Sequence, residues 1–193
     1  MPSTPLVRPR EFFEERTPSL IGAAIILYAA GVFAVSTGAP FVGQLTDLEL
    51  STQMLIIGVL FGGAVGAAGI WITYTVVVYL ATAVIGGSGS LARTAAYVGW
   101  GLLPLLIANA VYSLVVWSLY ASGQLPTISL ATQQEPFWLQ LVNVATGVVG
   151  YVWIGWLLTY AIHEARNVSV RHAGVIVGII VVASIIFQIS SVV

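Results

Sequence analysis

The sequence predicts an all-α, polytopic membrane helix bundle with five transmembrane helices, its N-terminus in the cytoplasm and its C-terminus outside. Three observations carry that prediction. Of 193 residues, 59% are hydrophobic and only 7% are charged, whereas a soluble domain carries about a quarter charged residues. A water-soluble fold of this size leaves too much surface exposed to hide so many apolar side chains, so lipid must cover them. The apolar residues fall into five long runs separated by polar stretches. The only cations, six arginines, then fall on one side of the membrane if the chain crosses five times.

Met1–Ser19 is polar and proline-rich, and contains Arg8-Pro-Arg-Glu-Phe-Phe-Glu-Glu-Arg16. Pro9 suits the first position of a short helix, and Glu11 suits its N-terminal dipole. Phe12 and Phe13 are then its apolar side. Two readings fit: an interfacial segment lying on the membrane, or a polar tail without fixed structure. Leu20–Thr37 is the first apolar run, roughly 27 Å of helix against a bilayer core of about 30 Å. A cleaved leader ending near Ala39 is not expected, because the preceding segment is too long and carries Glu11, Glu14 and Glu15.

Gly38–Gln53 is a loop with Pro40, Asp47 and Glu49. Met54–Ile85 then runs without a charge for roughly 48 Å, too long for one upright crossing and too short for two. It reads as one tilted or extended helix whose inner end protrudes past the lipid. Gly86-Gly-Ser-Gly-Ser90 is a hinge loop, and Ser90 is a suitable N-cap for the third helix, Leu91–Ala121. Pro104 should kink that helix. Gly123–Gln134 is a polar loop, Pro136–Ile162 the fourth helix, His163–His172 a short polar loop and Ala173–Ser190 the fifth helix. The chain thus divides into an N-terminal segment, 1–19, and a membrane domain, 20–193.

Arg8, Arg10 and Arg16 precede the first helix, Arg93 follows the second, and Arg166 and Arg171 separate the fourth from the fifth. The two alternate loops and the C-terminus contain no arginine. The positive-inside rule therefore assigns all six to a cytoplasmic face. Trp117, Tyr120, Phe137 and Trp138 gather on the other side, where aromatic rings favour the lipid boundary.

Gly58, Gly62 and Gly66 line small residues along one face of the second helix, with Gly63 and Gly69 beside them. Such a face suits packing within the bundle, or dimerisation. Asn109, Gln140 and Asn143 are the amides expected at membrane depth, where each needs a partner. Interhelical hydrogen bonding is the plainer role, a polar substrate path the sharper one. No Asp, Glu, Arg, Lys or His lies in the helix cores, which argues against ion-coupled transport. His163, Glu164, Arg166, Arg171 and His172 read as a solvated loop whose cations meet anionic headgroups. They lack the ligand set of a metal site. Cysteine and lysine are absent, which excludes disulfides, thiol catalysis and Schiff-base chemistry. Phosphate-binding and nucleophile motifs are also missing. No catalytic residue, cofactor or nucleic-acid partner is expected. Asn167-Val-Ser169 fits the glycosylation pattern, but on the cytoplasmic side it would stay unmodified.

Four segments together resemble the Yip1 family of membrane proteins. Arg8–Arg16 leading to Pro18-Ser-Leu-Ile-Gly22 is similar to the Pro-x-x-x-Phe approach to the first helix in prokaryotic members. Gly86–Ser90 followed by Arg93-Thr94 and Tyr97-Val-Gly99 resembles the family's glycine-rich loop and the stretch after it. Leu102-Leu-Pro104 resembles the kinking proline, and Trp153–Glu164 the end of the fourth helix. The resemblance covers nearly the whole chain and implies a five-helix bundle with a cytoplasmic N-terminus. The exclusive use of arginine over lysine suits an archaeal member. Eukaryotic members of the family are linked to vesicle traffic and bind small GTPases of the Rab type. They carry a long N-terminal region and an Asp-Leu-Tyr-Gly-Pro motif. The N-terminal segment here is short and Asp47-Leu-Glu-Leu50 does not match, so small-GTPase binding is not supported.

The expected role is a non-enzymatic, multi-pass scaffold of the cell membrane. Its partners would be the lipid bilayer, other membrane proteins or a second copy, met through Arg8–Arg16, Gly86–Arg93 and His163–His172. The alternative is a small-molecule or lipid transporter with a neutral cavity near Asn109 and Asn143. A bundle filled by side chains from end to end would favour the first, and a water-accessible cavity at mid-depth the second.

Overall fold

In the computed structural model, which describes residues 4–45, 50–128 and 135–190, the described chain is helix, turn or loop throughout. Asp47, Glu49 and the stretch 129–134 of the predicted loops lie outside those residues. Serines start three of the helices in the same way: Ser19, Ser51 and Ser90 are extended, and their hydroxyls accept from the amides of Gly22, Met54 and Arg93. Each thereby satisfies one of the amides that a helix start leaves without a backbone partner. The helices so opened are α2 (Leu20–Ser36), α4 (Thr52–Val84) and α5 (Leu91–Gly101). A short helix, α1 (Pro9–Glu15), precedes α2, and a 3-10 turn at Ala39–Phe41 leads to the single turn α3 (Val42–Leu45).

The third apolar run divides at Leu102 into α5 and α6 (Leu103–Ala121). Pro104 supplies no N–H and sits in the first turn of α6, so the backbone breaks two residues before it. The fourth and fifth runs form α7 (Phe137–Arg166) and α8 (Val170–Ser190). Among the described residues, five spans, with α5 and α6 counted as one, are long and apolar enough to cross a membrane.

The predicted polar loop His163–His172 shrinks to residues 167–169, because α7 continues through His163 and Arg166 and α8 already starts at Val170. Polarity alone does not end a helix, and basic side chains in the last turn favour its C-terminal dipole. The stop is Asn167, whose φ of 52° is left-handed, a conformation asparagine adopts more readily than most residues.

α2 packs on α4, α5 and α6, while α7 packs on α1, α5, α6 and α8. The α5–α6 rod thus joins two helix pairs, α2–α4 and α7–α8. The tightest seam lies at Gly31 and Gly63. A Cβ on Gly31 would stand 2.2 Å from the Gly63 carbonyl oxygen, and one on Gly63 would meet the Val32 amide nitrogen at 2.7 Å. Of the predicted stripe, Gly62 touches Val35, whereas a Cβ at Gly58 or Gly66 would meet nothing. The close approach within the chain therefore lies one position off that stripe.

α1 neither floats free nor turns its rings toward lipid. Phe13 is 1% exposed and its ring stacks on Tyr97 at 5.6 Å, while Phe12 meets Trp100 at 5.4 Å. Trp153 Nε1 donates to the Leu6 carbonyl and Trp100 Nε1 to that of Ser19. Trp71 Nε1 donates to the Ala95 carbonyl. These three indoles form a tier at which α1 is docked and α2 begins. α2 covers roughly 26 Å beyond that tier, close to one bilayer core. On the other side of the tier, α4 continues from Trp71 to Val84 for roughly 20 Å.

Candidate functional site

The end of the bundle beyond this tier carries Arg93, Arg166 and Arg171 and is here termed the arginine end. Its centre is Arg166. The sequence places this residue in a solvated loop, but the structure buries it, 2% exposed, on the last turn of α7. Its Nε donates to Thr82 Oγ1 at 2.8 Å, Nη1 to the Gly89 carbonyl and Nη2 to the Gly87 carbonyl at 2.9 Å. The guanidinium also lies over the Tyr79 ring, 4.2 Å from its centroid. A planar, forked cation fits this arrangement, since three acceptors and a π face can be met at once. No carboxylate is bonded to it among the described residues, so carbonyl dipoles, a hydroxyl and a ring provide its stabilisation.

The glycine-rich segment is accordingly pinned. Ser88 N donates to the Arg166 carbonyl at 2.8 Å, and Asn167 Nδ2 donates to Ser88 Oγ at 3.0 Å. Gly89 has φ 121°, and a Cβ there would stand 2.5 Å from the Ala165 carbonyl oxygen. Both constraints require glycine. The expected hinge is thus a fixed connector that ties α4 and α5 to the α7–α8 turn. His163 Nδ1 bonds the Val168 carbonyl, its Nε2 lies 3.5 Å from Glu164, and His172 Nδ1 pairs with Ser169 Oγ. Both imidazoles are engaged locally.

The remaining arginines are surface groups. Arg93 is exposed with its guanidinium over Tyr97, and Arg171 is exposed at the start of α8. On α1, Arg8 pairs with Glu11 at 3.3 Å and Arg10 with Glu14 at 2.7 Å, while Arg16 lies over Phe12. The contact with Glu14 raises the pKa of Arg10 above its ordinary value.

Beside this end, α4 and α5 frame a groove of about 370 Å3, lined by Trp71, Thr75 and Val76 of α4, Leu91 and Ala95 of α5, and Leu20. Thr75 Oγ1 is buried there without a hydrogen-bond partner among the described residues. Past the groove, Leu80 is 58% and Val84 87% exposed. At four-residue spacing, Val76, Leu80 and Val84 share one face of α4.

The predicted intramembrane amides do not converge. Asn109 Nδ2 donates to the Ala30 carbonyl at 3.0 Å and joins α6 to α2. Gln140 lies in the first turn of α7 and bonds the Glu135 carbonyl at 2.6 Å, so it serves the helix start rather than the membrane interior. Asn143 stands one turn further along, half-buried. Asn109 borders an enclosed cavity of about 70 Å3 that Asn143 does not line. Polar links absent from the sequence-based expectations are Ser36 with Ser113 at 2.9 Å and Tyr74 with Ser184 at 2.8 Å, joining α2 to α6 and α4 to α8. Their signal in the sequence was small: single hydroxyls inside apolar runs.

A family model described as "Yip1 domain" matches residues 5–192 of the chain. No curated protein and no solved structure matches it.

Proposed function

Because the chain belongs to the Yip1 domain family and is a multi-pass membrane protein, we propose that it is a non-enzymatic scaffold whose arginine end faces the cytoplasm and binds a partner protein. The observation that carries this reading is the apolar face of Val76, Leu80 and Val84, with the α4–α5 groove at its base. This face belongs to the part of α4 that extends past the tier where α2 begins. An exposed apolar face of this kind favours protein contact. The buried hydroxyl of Thr75 adds an unmet hydrogen bond that a docked peptide group would satisfy. The Arg166 connector supplies the rigidity a docking surface needs. The distribution of arginines supports the cytoplasmic assignment.

The cavity beside Asn109 supports the scaffold over a transporter. It measures about 70 Å3, well below the roughly 300–1,000 Å3 of small-molecule sites, and Asn143 does not line it. The test is a photo-crosslinking residue at Val84 or at Ile57, near the opposite end of α4, introduced one at a time in native membranes. Position 84 is expected to yield a discrete protein adduct that Leu80→Glu abolishes, while position 57 yields none. Lipid adducts alone at position 84 would sink the reading. The chain has no cysteine, so single-cysteine variants at Arg93 and Gly123 report the orientation. An impermeant thiol reagent applied to intact cells should modify position 123 and spare position 93.

A further inference from the structure

α4 and α8 run side by side but touch only sparingly, and α5 and α6 meet behind them at the Leu102 break. The gap is a cleft of about 470 Å3, within the range of small-molecule sites, about 300–1,000 Å3. Its walls are mostly apolar, with Ile70 and Val77 of α4 and Ile179 and Phe187 of α8 also exposed on the bundle's outer surface. The cleft therefore opens sideways, toward lipid.

Four hydroxyls interrupt this apolar lining: Thr73, Tyr74, Ser184 and Tyr151. Ser184 Oγ donates to the Ile180 carbonyl at 2.9 Å and so accepts from Tyr74 at 2.8 Å. Tyr74 has thereby used its one hydrogen. Tyr151, half-buried on α7, has no hydrogen-bond partner among the described residues. The cleft is left with unspent O–H donors on Tyr151, which is half-buried, and on Thr73, which is exposed at its edge, and with a spare lone pair on the Tyr74 oxygen. An unmet hydroxyl in an apolar setting is costly, so a ligand that brings an oxygen acceptor is favoured there.

The depth of these groups indicates which ligand. Tyr74 is three residues from Trp71, and Tyr151 two from Trp153, so both lie at the indole tier where charged α1 is docked. Indoles and charged helices collect at the lipid–water boundary. In a glycerolipid, the ester or ether oxygens that join chains to glycerol lie at that boundary.

We propose that the α4–α8 cleft is a binding site for one glycerolipid. Its chains lie against Ile70, Leu105, Ala183 and Phe187, and a linkage oxygen accepts from Tyr151. The site lies apart from the α4–α5 groove and stands whether or not that groove binds a partner.

Native mass spectrometry of the full chain tests this, with detergent-purified protein titrated with dioleoyl phosphatidylglycerol or with its ether-linked dialkyl counterpart. One tightly held lipid per chain is expected from either, because both carry the linkage oxygen. Tyr151→Phe removes only the hydroxyl and should weaken retention about tenfold, the effect of one hydrogen bond. Ala183→Phe should abolish retention by filling the cleft. Tyr28→Phe, on the exposed side of α2, should leave it unchanged, and matched circular dichroism spectra would verify folding. Unchanged retention in both Tyr151→Phe and Ala183→Phe would overturn the proposal. A lipid-free dimer that Ala183→Phe dissociates would also overturn it, since a second copy would then occupy the cleft.

Discussion

The two ends of this bundle hold their connecting segments by different means. At the arginine end, a buried cation gathers two carbonyls, a hydroxyl and a ring, and residues 167–169 suffice to join α7 to α8. At the opposite end the clamps are neutral amides and one carboxylate. Gln44 donates to the Pro126 carbonyl and accepts from Ile128 N, while Tyr112 donates to Glu135 at 2.5 Å. Among the described residues, that end holds a cleft of about 930 Å3 beside α4 and α6, lined in part by Trp117 and Tyr120. A buried cation without an anion is tolerable only where the backbone is held so as to satisfy it. The shape of the arginine end is therefore fixed, as a docking surface requires.

The largest effect is expected from breaking that centre. Arg166→Ala leaves Thr82, Gly87 and Gly89 with unmet groups, and should cost about 3–5 kcal/mol. Arg166→Lys should recover less than half, because an ammonium cannot meet separated acceptors with a planar fork. Thermal unfolding of the purified protein, followed by tryptophan fluorescence, measures both. A lysine variant as stable as the parent would mean that charge alone, rather than the fork, holds the connector.

The next effect belongs to the opposite end. Tyr112→Phe removes the donor to Glu135 and keeps the ring within its cluster with Phe41, Val116 and Leu139. The cost should be about 1.5–3 kcal/mol, that of a hydrogen bond to a charged group. It should appear in the same unfolding assay and in faster proteolysis at the connector leading into α7. An effect as large as that of Arg166→Ala would erase the contrast between the ends.

What the sequence made legible were features with a local cause. Pro104 breaks the third run, Ser90 caps α5, and five apolar runs become five spans, each through chemistry confined to one turn. What it concealed depended on facing. A helix that is apolar all round does not say which side meets a neighbour, so the stripe at Gly58, Gly62 and Gly66 was visible while the Gly31–Gly63 seam was not. Burial of Phe12, Phe13 and Arg166 was concealed for a related reason. Each lies in a polar stretch, and only the return of α1 and of the Gly86–Ser90 segment against α5 and α7 brings partners to it.

The smallest effect distinguishes backbone from side chain at the arginine end itself. Asn167 does two things: it takes the left-handed φ that stops α7, and its amide bonds the exposed Ser88 hydroxyl. Asn167→Gly retains the first and removes the second. An exposed side-chain hydrogen bond contributes little against water, and glycine adopts positive φ without strain, so the change should stay within about 0.5 kcal/mol. Asn167→Val loses both, and a β-branched residue is strained at that φ, so about 1–2 kcal/mol should be lost. If glycine proved as damaging as valine, the bond to Ser88 would be a structural member of the Arg166 connector. The rigidity of this end would then rest on side chains as well as on the path of its backbone.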